Sequence, residues 1–216
     1  VPNFCYQSTK GDVLLHDLFG KENWGVIFAN PASFDAVCLS EMMELVRLHS
    51  QFISRRTEIC AMTCDSLQEL EEWVKDIEGM GVQRPPNFPI IEDPRCEIAH
   101  VLGLVENKEE AMTGGPSARQ AVRAVFIINP HKRIAAIMRY PPRIGLNFHE
   151  VLRVLDALQL PEHVEEALAP VNWIRGQDVM LDVKNTSPDE LHERFPEGLQ
   201  IIDTPSEKFY LALTPD

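Results

Sequence analysis

Short apolar runs that alternate with amphipathic segments leave this chain few ways to fold. Trp24-Gly25-Val26-Ile27-Phe28-Ala29-Asn30 is an apolar run halted by Pro31, the pattern of a buried strand. Val37, Leu39, Met42, Met43, Leu45 and Val46 then repeat at helical spacing between Phe34 and His49. Glu58 to Thr63 is a second apolar strand. Ser66-Leu67-Gln68-Glu69 has the form of a capping box and opens a helix that runs to about Gly79. Phe88 to Ile91 reads as a short strand and Glu97 to Leu104 as a short helix. Ala124–Ile128 and Ile134–Met138 flank Asn129-Pro130-His131-Lys132, a hairpin signal. Asn147 to Leu158 is an amphipathic helix. Beyond it the pattern changes to short strands at Val179–Val183, Leu199–Ile202 and Phe209–Leu213, with Ser187 capping a helix that ends near Phe195. The polar, Gly-bearing stretch from Asn107 to Arg119 reads as a surface loop.

Strands that alternate with helices predict an α/β fold with parallel and antiparallel strands. The order β-α-β-α followed by β-β-α is the thioredoxin-like arrangement. A boundary is expected near Ala167–Val171, which divides the chain into residues 1–167 and a smaller region, 168–216. The 216 residues suffice for one large domain or one and a half ordinary ones. With 20 Lys and Arg against 33 Asp and Glu, the formal charge is -13. That argues against nucleic acid or anionic lipid as a partner, since both select positive surfaces. No apolar run approaches the ~20 residues of a membrane span.

The cysteines are Cys5, Cys38, Cys60, Cys64 and Cys96, an odd number at irregular spacing. This is a poor disulfide framework and points to a reducing compartment, the cytoplasm. The chain starts at Val1 without Met, so residues are expected upstream and a mitochondrial address stays open. No Cys-x-x-Cys pair is present, and neither a metal site nor a cofactor is expected.

Cys38 stands out by position. A strand ends at Asn30, Pro31 breaks it, and Cys38 falls in the first turn of the helix that follows. A thiol there meets unpaired backbone N–H groups and the positive end of the helix dipole, which favour the reactive thiolate. The plain structural alternative is a small buried hydrophobe, the commoner fate of a lone cysteine.

Pro31-Ala32-Ser33-Phe34-Asp35-Ala36-Val37-Cys38 resembles the peroxiredoxin signature Pro-x-x-x-Thr-x-x-Cys. Val1-Pro2-Asn3-Phe4 is similar to the end of that family's opening motif, and Phe88-Pro89-Ile90-Ile91-Glu92-Asp93 to its Phe-Pro-Ile-Ile-x-Asp strand. Arg123 to Ile128 resembles the strand that carries the family's active-site arginine. Tyr140-Pro141, Gly145 and Asn147-Phe148 match a further segment. Pro170-Val171-Asn172-Trp173 and Tyr210-Leu211 with Thr214-Pro215 look like the long C-terminal region of one-cysteine members. The resemblance covers nearly the whole chain. It implies a thioredoxin-like fold with a C-terminal dimerisation extension, and reduction of hydroperoxides through a sulfenic acid at Cys38. In that scheme Arg123 holds the thiolate and polarises the peroxide, Pro31 shields the thiol and Glu41 fixes the arginine. Val37 and Cys38 N–H groups bind the developing oxyanion. Apart from the resemblance, Arg123 reads as a surface charge and Glu41 as part of a solvated helix face. No resolving cysteine is evident. Cys60 and Cys64 lie roughly 13 Å apart along one strand face, so the reductant is expected to be an external thiol. A homodimer is the expected minimum assembly.

Three positions depart from the family pattern. Asp35 stands where the signature has its threonine, Asn30 where it has a histidine, and Leu146 where it has a second arginine. A carboxylate near Cys38 disfavours a second negative charge, and as a helix N-cap it would engage the Val37 and Cys38 N–H groups. Both effects predict impaired peroxide chemistry. Arg139 and Arg143 are the candidates to replace the missing guanidinium. The competing reading is a catalytically degenerate scaffold, or a subunit of a larger assembly.

Overall fold

The computed structural model describes residues 1–82, 84–105, 109, 113 and 120–216. The expected loop at Asn107–Arg119 lies outside the described residues except for Glu109 and Thr113. The chain separates into two compact units, Val1–Phe148 and His149–Asp216. The break in sequence pattern falls later, at a short strand, Ala167–Leu168.

The first unit is built on a seven-stranded sheet in the order β2-β1-β5-β4-β3-β6-β7. Its strands are β1 (Cys5–Ser8), β2 (Gly11–Leu14), β3 (Trp24–Ala29), β4 (Thr57–Thr63), β5 (Ile90–Glu92), β6 (Arg123–Ile128) and β7 (Ile134–Tyr140). β3, β4 and β5 run parallel, with Ala29 beside Met62 and Met62 beside Ile91. β6 joins β3 antiparallel, and β7 closes the hairpin. Every residue of β3 and β6 is buried, as expected of strands covered on both faces.

Helix α2 (Ala36–Ile53) follows β3 and lies on the Phe28 side of the sheet, where the Phe28 and Phe52 rings meet edge to face at 5.8 Å. Alternation sends Ile27 and Ala29 to the opposite face. There they join Cys60, Met62 and Cys64 of the β4 segment, together with α1 (Leu15–Phe19) and α4 (Glu97–Val101). The Ser66 capping box forms as expected, with Glu69 accepting from the Ser66 N–H at 2.8 Å, and starts α3 (Leu67–Ile77). Phe148 begins α5 (Phe148–Gln159) and packs on Phe28 at 5.6 Å.

The second unit contains a four-stranded antiparallel sheet, β10-β11-β9-β8. Its strands are β8 (Ala167–Leu168), β9 (Val179–Leu181), β10 (Gln200–Ile201) and β11 (Ala212–Thr214). The expected Ser187 cap is a full capping box on α6 (Pro188–Arg194). Leu181, Val183, Leu191 and Ala212 form its small core. Among the described residues no helix is long and apolar enough to cross a membrane.

Candidate active site

The turn from β3 into α2 sets the site. Phe34 takes a left-handed backbone (φ 56) and directs Asp35 into the extended N-cap position. Asp35 Oδ1 accepts the Cys38 N–H at 2.8 Å, and the Val37 N–H also donates to this carboxylate. Asp35 is therefore the helix cap, and it occupies the two donors expected to meet a peroxide oxyanion. Cys38 has no exposed surface. Pro31 is buried, and the N–H of its neighbour Ala32 points at the Cys38 sulfur.

Arg123, at the start of β6, comes from 85 residues away to place Nη2 at 3.3 Å from Cys38 Sγ. It is fully buried rather than a surface charge. A buried guanidinium needs a countercharge and partners for its N–H groups. Glu41, one turn beyond Cys38, supplies the charge, with Arg123 Nε at 2.9 Å from Oε1 and 3.0 Å from Oε2. Nη1 donates to the Pro141 carbonyl at 3.3 Å and, more closely, to that of Pro142. Asp35 Oδ1 stands 3.5 Å from Nη2, so the guanidinium faces two carboxylates and a sulfur.

The departures from the family pattern have distinct consequences. Asn30 is buried and donates Nδ2 to Glu41 at 3.3 Å, while its carbonyl oxygen has no partner among the described residues. Leu146 lacks a guanidinium, but its backbone N–H holds Glu41 Oε1 at 2.8 Å. Arg139 and Arg143 are exposed. These backbone contributions, with those of Ala32, Pro141 and Pro142, carry no side-chain signature and were beyond sequence reasoning.

The electrostatic balance at Cys38 runs against the pull expected of the helix N-terminus and in the direction expected of Asp35. Burial pushes it up to about 11, aided by the hydrogen bond and negative charge of Asp35; the Ala32 N–H and Arg123 pull the other way and do not prevail. The helix N-terminus is of little help because its N–H groups already serve Asp35. Burial works against the charge on Asp35 too, but the Cys38 N–H and thiol and nearby Arg123 hold its carboxyl below the ordinary range. Burial raises Glu41, against the Leu146 N–H and Arg123. Burial and Asp35 thus favour the protonated thiol, which lies against a carboxylate and a guanidinium.

Of the remaining cysteines, Cys60, Cys64 and Cys96 are buried and Cys5 is exposed. Among the described residues no cluster of three or more His, Cys, Asp or Glu side chains is arranged to hold a metal.

A buried cysteine at a strand-to-helix turn is thus met by an arginine from the antiparallel strand beside β3. Residues 1–137 match the AhpC/TSA family. The "1-Cys peroxiredoxin" of Medicago truncatula is 35% identical over 215 residues, covering 99% of this chain and 95% of that protein. The crystal structure of a cysteine-to-serine mutant of the Peroxiredoxin 6 of Arenicola marina superposes with a TM-score of 0.89 at 35% identity, over 99% of this chain and 94% of that one. The yeast mitochondrial 1-Cys peroxiredoxin superposes with a TM-score of 0.85 at 32% identity, over 100% and 97% of the two chains. The chain belongs to the peroxiredoxins, in their 1-Cys branch. Its activity is that of a thiol-dependent hydroperoxide reductase, and the scaffold reading is not favoured.

Proposed function

We propose that Cys38 is the peroxide-reacting thiol, with Arg123 as its electrostatic partner. The 3.3 Å approach of Arg123 Nη2 to Cys38 Sγ carries this reading. The Cys38 thiol loses its proton, and the thiolate attacks the terminal oxygen of the hydroperoxide. The O–O bond breaks, the departing alkoxide takes up a proton to leave as an alcohol or water, and Cys38 becomes the sulfenic acid. Arg123 stabilises charge first on sulfur and then on the departing oxygen. Glu41 orients the guanidinium, Pro31 keeps water from the thiol, and Asp35 restrains ionisation, so the enzyme works more slowly than its architecture allows.

An external thiol then condenses with the sulfenic acid, releases water, and is displaced by a second thiol. The thiol of the yeast mitochondrial 1-Cys peroxiredoxin is resolved via glutathione and thioredoxin systems, and a thiol of that class is the reductant proposed here. The test is hydrogen peroxide consumption by the full chain with dithiothreitol as reductant. Cys38→Ser should reduce it to a small residual rate; a wild-type rate in that variant would refute the assignment.

Within this reading residues 1–167 carry the peroxidase and 168–216 the extension used in assembly. A homodimer is supported by β7, an edge strand that exposes Ile134 and Ile137. Sedimentation showing only monomer at micromolar concentration would count against it. The cytoplasm suits the chain's thiols, and the mitochondrial neighbour makes the mitochondrion the competing address. Cell fractionation decides between them.

A further inference from the structure

Two thiols outside the peroxide site lie together in the core. Cys64 follows the last residue of β4, and Cys96 is the residue just before α4. Both are buried, at 1% and 0% exposure, in the apolar cluster that contains Ile91, Ile98 and Ala99. Their side chains hydrogen-bond to each other. Backbone bonds hold the two segments in place, with the Asp93 N–H donating to Thr63 O at 2.9 Å and the Cys96 N–H to Asp93 O at 2.8 Å.

Cys96 is not explained by local structure. Cys96 occupies the left-handed region (φ 51, ψ 33), where glycine or asparagine would fit with less strain. It also caps α4 without a side-chain hydrogen bond. Cys64 lies on the sheet face with Ile27 and Ala29, whereas Cys38 sits on α2 against the Phe28 face. The pair is therefore separated from the peroxide site by the sheet and does not serve as its resolving thiol.

We propose that Cys64 and Cys96 form a second redox site, an internal dithiol that closes to a disulfide when hydrogen peroxide is in excess. The Cys64 sulfur attacks one peroxide oxygen and the O–O bond breaks. The thiol proton leaves with the departing oxygen as water, and Cys64 becomes a sulfenic acid. The Cys96 sulfur displaces that hydroxyl, which takes the Cys96 proton and leaves as a second water. One peroxide is reduced by two electrons and the two thiols are oxidised by two. Burial slows the first step, since hydrogen peroxide reaches the pair only as the core opens locally and the flanking Asp93 and Asp65 further oppose thiolate at Cys64. Contact between the sulfurs accelerates the second, because condensation is intramolecular.

The experiment treats the wild-type chain and Cys38→Ser with excess hydrogen peroxide. The proteins are then denatured, alkylated and digested with trypsin without reduction. Cleavage after Lys75 and Arg95 puts the two cysteines on separate peptides. The expected result is a linked peptide joining Cys64 to Cys96 in both proteins, released by dithiothreitol. The Cys38→Ser sample keeps this outcome independent of the peroxidase assignment. The proposal is overturned if both thiols are recovered alkylated after Cys38 of the wild type has been oxidised to sulfinic acid. Separate oxidation of the two to sulfonic acids, or a bridge from Cys64 to Cys60 or Cys5, would overturn it equally.

Discussion

Replacing Asp35 with threonine should make this enzyme faster. In the wild type Asp35 accepts hydrogen bonds from the Cys38 N–H and thiol, and its charge lies 3.5 Å from the guanidinium that otherwise serves the sulfur. A thiol at about 11 is ionised to roughly one part in several thousand at pH 7.4. Two unit charges about 4 Å apart interact by about 4 kcal/mol at an effective dielectric of 20. The Asp35 side chain is 42% exposed, so screening reduces this to about 1.5–3 kcal/mol, or one to two pKa units. Asp35→Thr then raises the thiolate fraction about ten- to a hundredfold. Nucleophilicity falls by nearly half of that on a logarithmic scale, leaving a net gain of about three- to tenfold in the peroxide rate. Threonine is also a competent N-cap, so stability changes by only a few tenths of a kcal/mol. The assays are the pH midpoint of Cys38 alkylation and the second-order rate of its oxidation by stopped flow. A midpoint that stays put or rises in Asp35→Thr, with the fold intact, would refute the reasoning.

Glu41→Gln should leave Arg123 buried without its principal countercharge, lowering stability by about 3–5 kcal/mol in urea denaturation and reducing peroxidase activity together. Gly25→Ala should destabilise by about 1–3 kcal/mol, because a methyl group there would come within 2.5 Å of the Phe19 ring; calorimetry checks it. Asp93, buried in the turn that precedes α4, is pushed up by burial to about 6 from the ordinary 3.8. Between those values the folded chain holds the proton more tightly than the unfolded one, so stability contributed at this site is present at low pH and falls as pH rises from about 4 to about 6, by at most about 3 kcal/mol. Comparing urea midpoints of wild type and Asp93→Asn across that range isolates the effect; parallel curves would exclude it.

The long elements were legible because their periodicity spans enough residues to be distinctive. β3, α2, β4, α3 and the β6–β7 hairpin formed where apolar pattern and capping residues placed them. β1, β2 and α1 were not anticipated, since four- and five-residue elements around Gly11 carry too few positions to show a period. Cys38, Glu41 and Arg123 were named through a family resemblance, and the structure brings all three into contact. Helix position pointed to a depressed Cys38 thiol and Asp35 to a raised one; which prevails was not legible, because desolvation depends on the tertiary packing around the sulfur. The meeting of Cys64 with Cys96 was hidden for a related reason: strand spacing describes neighbours on β4 but not what α4 brings against its end.

The hold that Glu41 and the Pro141 and Pro142 carbonyls have on Arg123 also bears on how this protein comes into being. A cation can enter the core only when the helix that neutralises it and the turn that receives its remaining hydrogens have arrived. Assembly of the reactive centre and consolidation of the tertiary structure are then a single event, so a chain caught halfway to its native state has no partly working version of its chemistry.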